Sequence, residues 1–349
     1  MIIIFIIISF FFNSIIINKQ LFISIIFIFS CIGIVLSNNF ITLYFCFIIQ
    51  TFSIILYLIT QNSNYITKEA SIKYFILSSV VGSIFLIGIS SSLYLNYNLY
   101  FINLSPNINY LLLTLIIFKS GLFPFHFWVS DIYQVCDIKL LYFISILSKI
   151  VIIPILYICS NINQLFIIGL FSILVGSISI LNQTNIKRII GYSSIYNIGI
   201  VIFISSYNYN ISLIYLLIYC IILTFFLLLI TTENNIIEII HIHLFDKYKA
   251  FTWLIIILSF AGFPPFIGFL AKSLILNILI IYNSMSILLL LIITSIMLYY
   301  LYFKLLTLIF YYTENIFYKI YNNLEILNIN KIYLINIFTY SSYFWFFLV

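Results

Sequence analysis

Charge is what this chain has least of: 6% of its 349 residues are Asp, Glu, Lys or Arg, against 65% hydrophobic. A water-soluble domain needs far more charge on its surface, so that class is excluded. Helix breakers are scarce too, with ten glycines and five prolines, and no linker is long enough to hide a separate domain. The five cysteines (Cys31, Cys46, Cys136, Cys159, Cys220) are scattered without a C-x-x-C pair. Neither a disulfide framework nor a zinc or iron–sulfur site is indicated, and they read as small apolar fillers. Met1 leads straight into IIIFIIISF, with no basic stretch and no small-residue cleavage site, so a cleaved signal peptide is not expected. There is no phosphate loop, dinucleotide fingerprint or haem histidine pair, so no cofactor and no redox chemistry are expected within this chain. His241 and His243 alternate like a strand-type metal pair, but no acid or Cys stands at ligand spacing, and no metal site is expected.

What is present is long apolar runs. Segments of about 20 residues recur along the whole length, each enough to cross a bilayer as a helix. A barrel would need short alternating strands, whereas LIYLLIYCIILTFFLLLI is continuous. The expectation is an all-α polytopic membrane protein, a single membrane domain over 1–349 with no soluble domain. About twelve segments can be drawn, approximately 1–18, 20–37, 39–60, 72–96, 108–128, 140–160, 162–181, 190–206, 209–232, 251–280, 284–311 and 331–349. The first is the weakest, interrupted by Asn13. The stretch 312–330 is amphipathic and suits a membrane surface. Ile, Phe, Tyr and Asn abound and Lys outnumbers Arg 13 to 1, a compositional drift typical of AT-rich coding sequences such as organelle genomes.

The charges are one-sided. Ten of the fourteen basic residues lie outside the apolar cores or at their edges: Lys19, Lys68, Lys73, Lys139, Lys187, Arg188, Lys247, Lys249, Lys319 and Lys331. With twelve segments, all of them fall on one side, together with all eight acids. Loops near 38, 98–107, 161, 207 and 282 carry no charge. The positive-inside rule makes the charged side the matrix or cytoplasmic one, with both termini opposite. The net charge of +6 is thus an orientation signal and gives no reason to expect a nucleic-acid partner. Lys187 and Arg188 suit anionic lipid headgroups, although orientation alone accounts for them.

Four lysines remain inside the segments: Lys119, Lys149, Lys272 and Lys304. An ammonium at membrane depth costs roughly 2.5–3.5 kcal/mol on insertion scales and marks a functional site by default. No acid lies at comparable depth. Removal from water disfavours the charged form of an amine, so such a group can exchange a proton where water reaches it. The alternative is a long stem that carries the amine out to the interface, an equal reading for Lys304, which lies near a helix end. Helix breakers adjoin two of the lysines. Gly121 and Pro124 follow Lys119, while Gly262, Pro264 and Pro265 precede Lys272. The broken helices are the fifth and tenth segments, and an odd interval of five gives repeats of inverted topology, approximately 20–160 and 162–311, followed by a C-terminal helix at 331–349.

The same residues carry a family likeness. FKSGLFPFHFWVSDIYQ (118–134) resembles the K-x-G-x-x-P-F-H-x-W-x-P-D-x-Y signature of the antiporter-like subunits of respiratory complex I, and within them the subunit 2 group. TKEASIKYFILSS (67–79), LNQTNIKRIIGYSSIYNIGIV (181–201), SFAGFPPFIGFLAKSLIL (259–276) and SILSKIVII (145–153) are similar to further segments of that group, in collinear order. The resemblance implies an antiporter-like fold and a mitochondrial inner-membrane subunit of NADH:ubiquinone oxidoreductase. Its C-terminus would face the intermembrane side. NADH, FMN, iron–sulfur clusters and ubiquinone would be held by other subunits. Its partners would be membrane subunits such as subunits 4 and 4L, and accessory subunits. It implies that Lys119, Lys149 and Lys272 form a proton relay. His126, Lys304, Glu69 and Lys73 are possible accessories.

Three departures qualify it. The glutamate that the family pairs with its first lysine is replaced at Ile48. Glu69 is no substitute, since it matches a separate motif at the membrane edge. Ser130 stands where proline is expected before Asp131, and VCDIK replaces the usual sequence that follows. The chain is also shorter at its N-terminus by about two or three helices, which a separate chain could supply. Two other classes stay open: an Mrp-type cation/proton antiporter, and a non-conducting structural subunit of the membrane arm.

Overall fold

The computed structural model describes residues 18–61, 64–96, 106–158, 162–230 and 247–316. They are helical throughout, with no β-strand among the described residues. In chain order the helices are α1 (Asn18–Leu36), α2 (Phe40–Gln61), α3 (Tyr65–Asn96), α4 (Pro106–Ser120) and α5 (Phe127–Val135). One continuous segment follows, made of α6 (Ile138–Tyr142), a π-helical turn (Phe143–Leu147) and α7 (Ser148–Ile158). Next come α8 (Ile162–Ile180), α9 (Ile186–Ser205), α10 (Tyr209–Leu229), α11 (Lys247–Ala261), α12 (Ile267–Ile281) and α13 (Met285–Ile316).

These helices correspond to the second through eleventh segments of the sequence reading. The segments at 1–18 and 331–349, the 317–330 part of the amphipathic stretch and the His241/His243 pair lie outside the described residues. Seven helices are long and apolar enough to cross a membrane, among the described residues. The two segments interrupted at α4/α5 and α11/α12 fall short of that length because the break divides them.

Several boundaries move, each for a local reason. The fifth segment does not end near 128; it breaks at 121–126 and resumes as α5 to Val135. The eighth begins at Ile186 rather than 190. Asn185 caps it, its side-chain oxygen accepting from Lys187 N at 3.0 Å, which satisfies a first-turn donor. That cap draws Lys187 and Arg188 into the helix.

Hydroxyls inside the bundle are absorbed locally. Ser53 donates to the Gln50 carbonyl at 2.7 Å, Ser172 to Gly169 at 2.7 Å and Thr294 to Leu291 at 3.0 Å. Away from water such bonds remove the cost of a bare polar group.

Helix α9 is the axis of the molecule. Nearly every residue from Ile186 to Ile204 is buried, between α8, α10 and α5. Helices α3 and α13 lie outside, with much of their apolar surface exposed. The α8–α9 crossing is close: a Cβ on Gly176 would sit 2.8 Å from Tyr196 N and 3.0 Å from its Cα. Small residues let backbones meet where lipid gives no hydrophobic drive to associate.

Charges gather at one end of this bundle. Near the start of α3, Lys73 pairs with Glu69 at 2.8 Å and with Asp131 of α5 at 3.3 Å. At the same end of α5, Arg188 of α9 donates to Gln134.

Gly176→Val should force this crossing apart, at a cost on the order of 1–3 kcal/mol for overpacking. Thermal unfolding of the purified native assembly would read this as a lower melting temperature; an unchanged transition would argue against the close α8–α9 contact.

Candidate functional site

Both interrupted helices end in the same way. In α4, Gly121 N donates to the Phe118 carbonyl at 3.0 Å and Leu122 N to Ile117 at 2.9 Å. In α11, Gly262 N donates to Ser259 at 3.1 Å and Phe263 N to Leu258 at 3.2 Å. Each pair is a Schellman motif, closed by a residue in the left-handed region. Gly121 has φ 72° and Gly262 has φ 76°, where a side chain is strained. Space forbids one as well, since a Cβ on Gly121 would fall 2.1 Å from Val129 Cγ2. Ser-Gly-Leu-Phe-Pro-Phe and Ala-Gly-Phe-Pro-Pro-Phe therefore build one device twice, five segments apart. Each holds a cis X–Pro bond, Phe123–Pro124 and Pro264–Pro265.

A Schellman motif satisfies carbonyls in the last turn but leaves the one at its end free. Here that carbonyl receives an ammonium. Lys149 Nζ, on α7 two residues after the π-helical turn, donates to the Ser120 carbonyl. Lys272 Nζ, on α12, donates to the Ala261 carbonyl at 2.5 Å. The negative end of a helix favours a cation there. Lys149 is 1% exposed, and Lys272 is partly buried. The Lys272 stem lies across Gly262, where an added Cβ would meet its Cδ at 2.8 Å. Its ammonium also sits over the Tyr299 ring, 4.4 Å from the centroid.

Lys119 is held differently. It sits in the last turn of α4 and reaches to α2, where Nζ lies 3.4 Å from the Phe47 carbonyl and 5.2 Å from that ring's centroid. The residue of α2 set against Lys119 is thus Phe47, while the neighbouring Ile48 is only partly buried. The structure brings Lys119 and Lys149 to the same helix end, since Ser120 directly follows Lys119. An ammonium has three donors, and each of these lysines spends one on a single carbonyl.

The other expected residues take other places. His126 lies at the first break, stacked on Phe123 at 6.2 Å and tilted against Phe127 at 4.0 Å between ring centroids. Its Nδ1 has no hydrogen-bond partner among the described residues. Glu69 and Lys73 pair with each other on the surface and do not reach Lys119. Lys304, expected within the segments, is exposed on α13. Pro124 and Pro264 are exposed, and Pro265 partly so.

Three features escaped the sequence. Lys187, placed there among the edge charges, is 5% exposed and donates to the Cys136 carbonyl at 2.8 Å, capping the C-terminal end of α5. Gln50, one turn along α2 from Phe47, is 1% exposed and donates to Cys31 Sγ at 3.4 Å. The Tyr215 hydroxyl of α10 donates to Asn197 Oδ1 of α9 at 2.7 Å in the interior. The first could have been suspected from the Asn185 cap signal two residues before Lys187; the other two leave no local pattern.

Comparison with known proteins adds the family. Residues 37–298 match the model described as NADH:quinone oxidoreductase/Mrp antiporter, transmembrane. NADH-ubiquinone oxidoreductase chain 2 of Symphalangus syndactylus is 31% identical over 228 residues, 63% of this chain and 65% of the relative. The match thus spans just under two thirds of that relative's length. Among solved structures, a chain of respiratory complex I from Thermus thermophilus superposes with a TM-score of 0.73 at 22% identity, over 82% of this chain and 69% of the other. A chain of the Mrp complex from Dietzia sp. DQ12-45-1b gives 0.72 at 15% identity, over 82% and 59%. Both likenesses concern the fold.

The geometry makes Gly262 a sensitive position. Gly262→Ala should push the Lys272 stem aside and lengthen its 2.5 Å bond to the Ala261 carbonyl. A high-resolution map of the variant assembly would test this, and an undisturbed ammonium would count against the role given to the glycine.

Proposed function

Because the chain belongs to the NADH:quinone oxidoreductase/Mrp antiporter family, we propose that it is a proton-translocating membrane-arm subunit of a mitochondrial NADH:ubiquinone oxidoreductase. The observation that carries this reading is the seating of ammonium groups on the carbonyl ends of two interrupted helices, Lys149 on Ser120 and Lys272 on Ala261. Lys119 adjoins the first of them.

The physical case is a near balance. Roughly 2.5–3.5 kcal/mol opposes an ammonium at membrane depth. A hydrogen bond to a charged group returns about 1.5–3 kcal/mol, and a helix C-terminus adds about 0.3–1 kcal/mol. An ammonium so placed is neither locked in its charged form nor expelled from it. Small changes in hydration or in a neighbour's charge then decide whether it holds its proton.

In the proposed sequence Lys119 exchanges a proton with one side. Lys149 takes it up across the shared end of α4 and relays it laterally through water. Lys272 passes it towards the other side or to the neighbouring subunit. NADH oxidation and quinone reduction belong to other subunits of the assembly. The charged end of the bundle faces the matrix in this reading, and subunits 4 and 4L are the expected neighbours.

An Mrp-type antiporter shares the fold, and purification separates the two: a large assembly that oxidises NADH supports the present reading, whereas a small one without flavin opposes it. Lys149→Met keeps the length of the side chain and removes its charge. It should lower the ratio of protons moved per electron by the share this subunit carries. A normal ratio in that variant would sink the relay assignment and favour a structural role.

A further inference from the structure

The bond between Lys149 and the Ser120 carbonyl closes a loop of chain. The two residues stand 29 apart, and between them the chain folds back on itself. Helix α5 leaves the break and runs to Val135. Cys136 and Asp137 turn the corner in extended conformation, with ψ 142° and 159°. The continuous segment of α6, π-helical turn and α7 then returns to Lys149. Each arm of this hairpin is tied to one side of the bond. Trp128 Nε1, at the start of α5, donates to the Phe118 carbonyl at 3.1 Å, two residues before Ser120. The other arm carries Lys149 itself. The corner joins the arms, so its position decides how they meet.

The corner is held from outside the loop, by α9. Lys187 Nζ donates to the Cys136 carbonyl at 2.8 Å, and Arg188 donates to Gln134 Oε1. One turn further along α9, the Tyr133 ring lies against Gly191, where an added Cβ would meet its Cγ at 3.4 Å. The start of α9 is itself fixed, since Asn185 accepts from Lys187 N at 3.0 Å. Helix α3 also reaches α5, through Lys73 and Asp131 at 3.3 Å. That pair is exposed, and surface pairs of this kind hold little.

Lys187 is the unusual member of the group. It is 5% exposed, and an ammonium withdrawn from water is costly unless it is well bonded. A helix-end carbonyl near the charged end of the bundle could take its donor from water instead. A water leaves the corner free to shift, whereas an ammonium anchored to the buried start of α9 does not.

We infer that Lys187 is a positioning residue for Lys149: its ammonium fixes the Cys136–Asp137 corner, and the fixed corner sets the reach of Lys149 Nζ to the Ser120 carbonyl. The consequence for proton transfer rests on the proton-relay reading above; the consequence for geometry does not. Lys187 keeps its own proton throughout. Without its ammonium the Cys136 carbonyl is left bare, the hairpin relaxes towards water at its corner, and Lys149 draws away from its seat.

The test uses the intact native assembly with two readouts, a high-resolution map and the ratio of protons moved per electron in reconstituted vesicles. That ratio is insensitive to how much complex assembles. Lys187→Met keeps the length of the side chain and removes the donor. Its map should show the corner displaced and Lys149 Nζ more than about 3.5 Å from the Ser120 carbonyl, past hydrogen-bond reach. Its ratio should fall towards that of Lys149→Met. Lys187→Arg supplies a donor that cannot give up its proton, so it should restore both the contact and the wild-type ratio. Lys149 still seated on Ser120 in the Lys187→Met map overturns the positioning role. A ratio as low in Lys187→Arg as in Lys187→Met also overturns it, because Lys187 then acts through its own proton. A normal ratio in Lys149→Met brings down the relay reading alone, and the two maps still decide whether Lys187 sets the seat.

Discussion

A helix that stops inside a membrane leaves carbonyls with nothing to accept from, and lipid offers no donor. The site is organised around the way this chain meets that constraint. It closes the last turn with a Schellman motif and then brings a lysine to the carbonyl left over. Ser120 takes Lys149 and Ala261 takes Lys272. At the far end of α5, the Cys136 carbonyl takes Lys187 at 2.8 Å. All three lysines seat on a helix-end carbonyl, but only the first two ends lie at interruptions and are closed by a Schellman motif.

This arrangement explains residue choices that otherwise look unrelated. Glycine is needed at 121 and 262 because the closing turn adopts positive φ. It is needed at 262 a second time because the Lys272 stem crosses it. Trp128 belongs to the same arrangement, its Nε1 donating to the Phe118 carbonyl at 3.1 Å and tying α5 to the end of α4. Lys119 is the exception that matters. It belongs to the helix whose end Lys149 caps, so it must look elsewhere, and it meets the Phe47 carbonyl at 3.4 Å and the face of that ring. Of the three lysines it has the loosest seat.

Much of this architecture was legible from the chain alone. Apolar runs set the helical segments, because a bilayer permits few other ways to satisfy a backbone. Gly121 with Pro124, and Gly262 with Pro264 and Pro265, marked where two of them break. What stayed hidden depended on partners distant in sequence. Lys187 reads as a loop charge until α5 is placed beside α9, 51 residues away along the chain. The outward position of Lys304 depends on which face of α13 meets the bundle, and an all-round apolar helix carries no moment to reveal it. Tyr215, which meets Asn197 between α10 and α9, is lost among 29 tyrosines in the sequence, with no spacing to single it out.

Under the proposed function, a lysine on a helix end changes charge when it gains or loses a proton, so its state would respond to fields from neighbouring subunits and from other lysines. Lipid makes each further buried ammonium costly, and seating Lys149 and Lys272 on the carbonyls of Ser120 and Ala261 confines that cost to places where a helix end favours a cation. In that reading, these two helix ends are where coupling to the rest of an assembly would act.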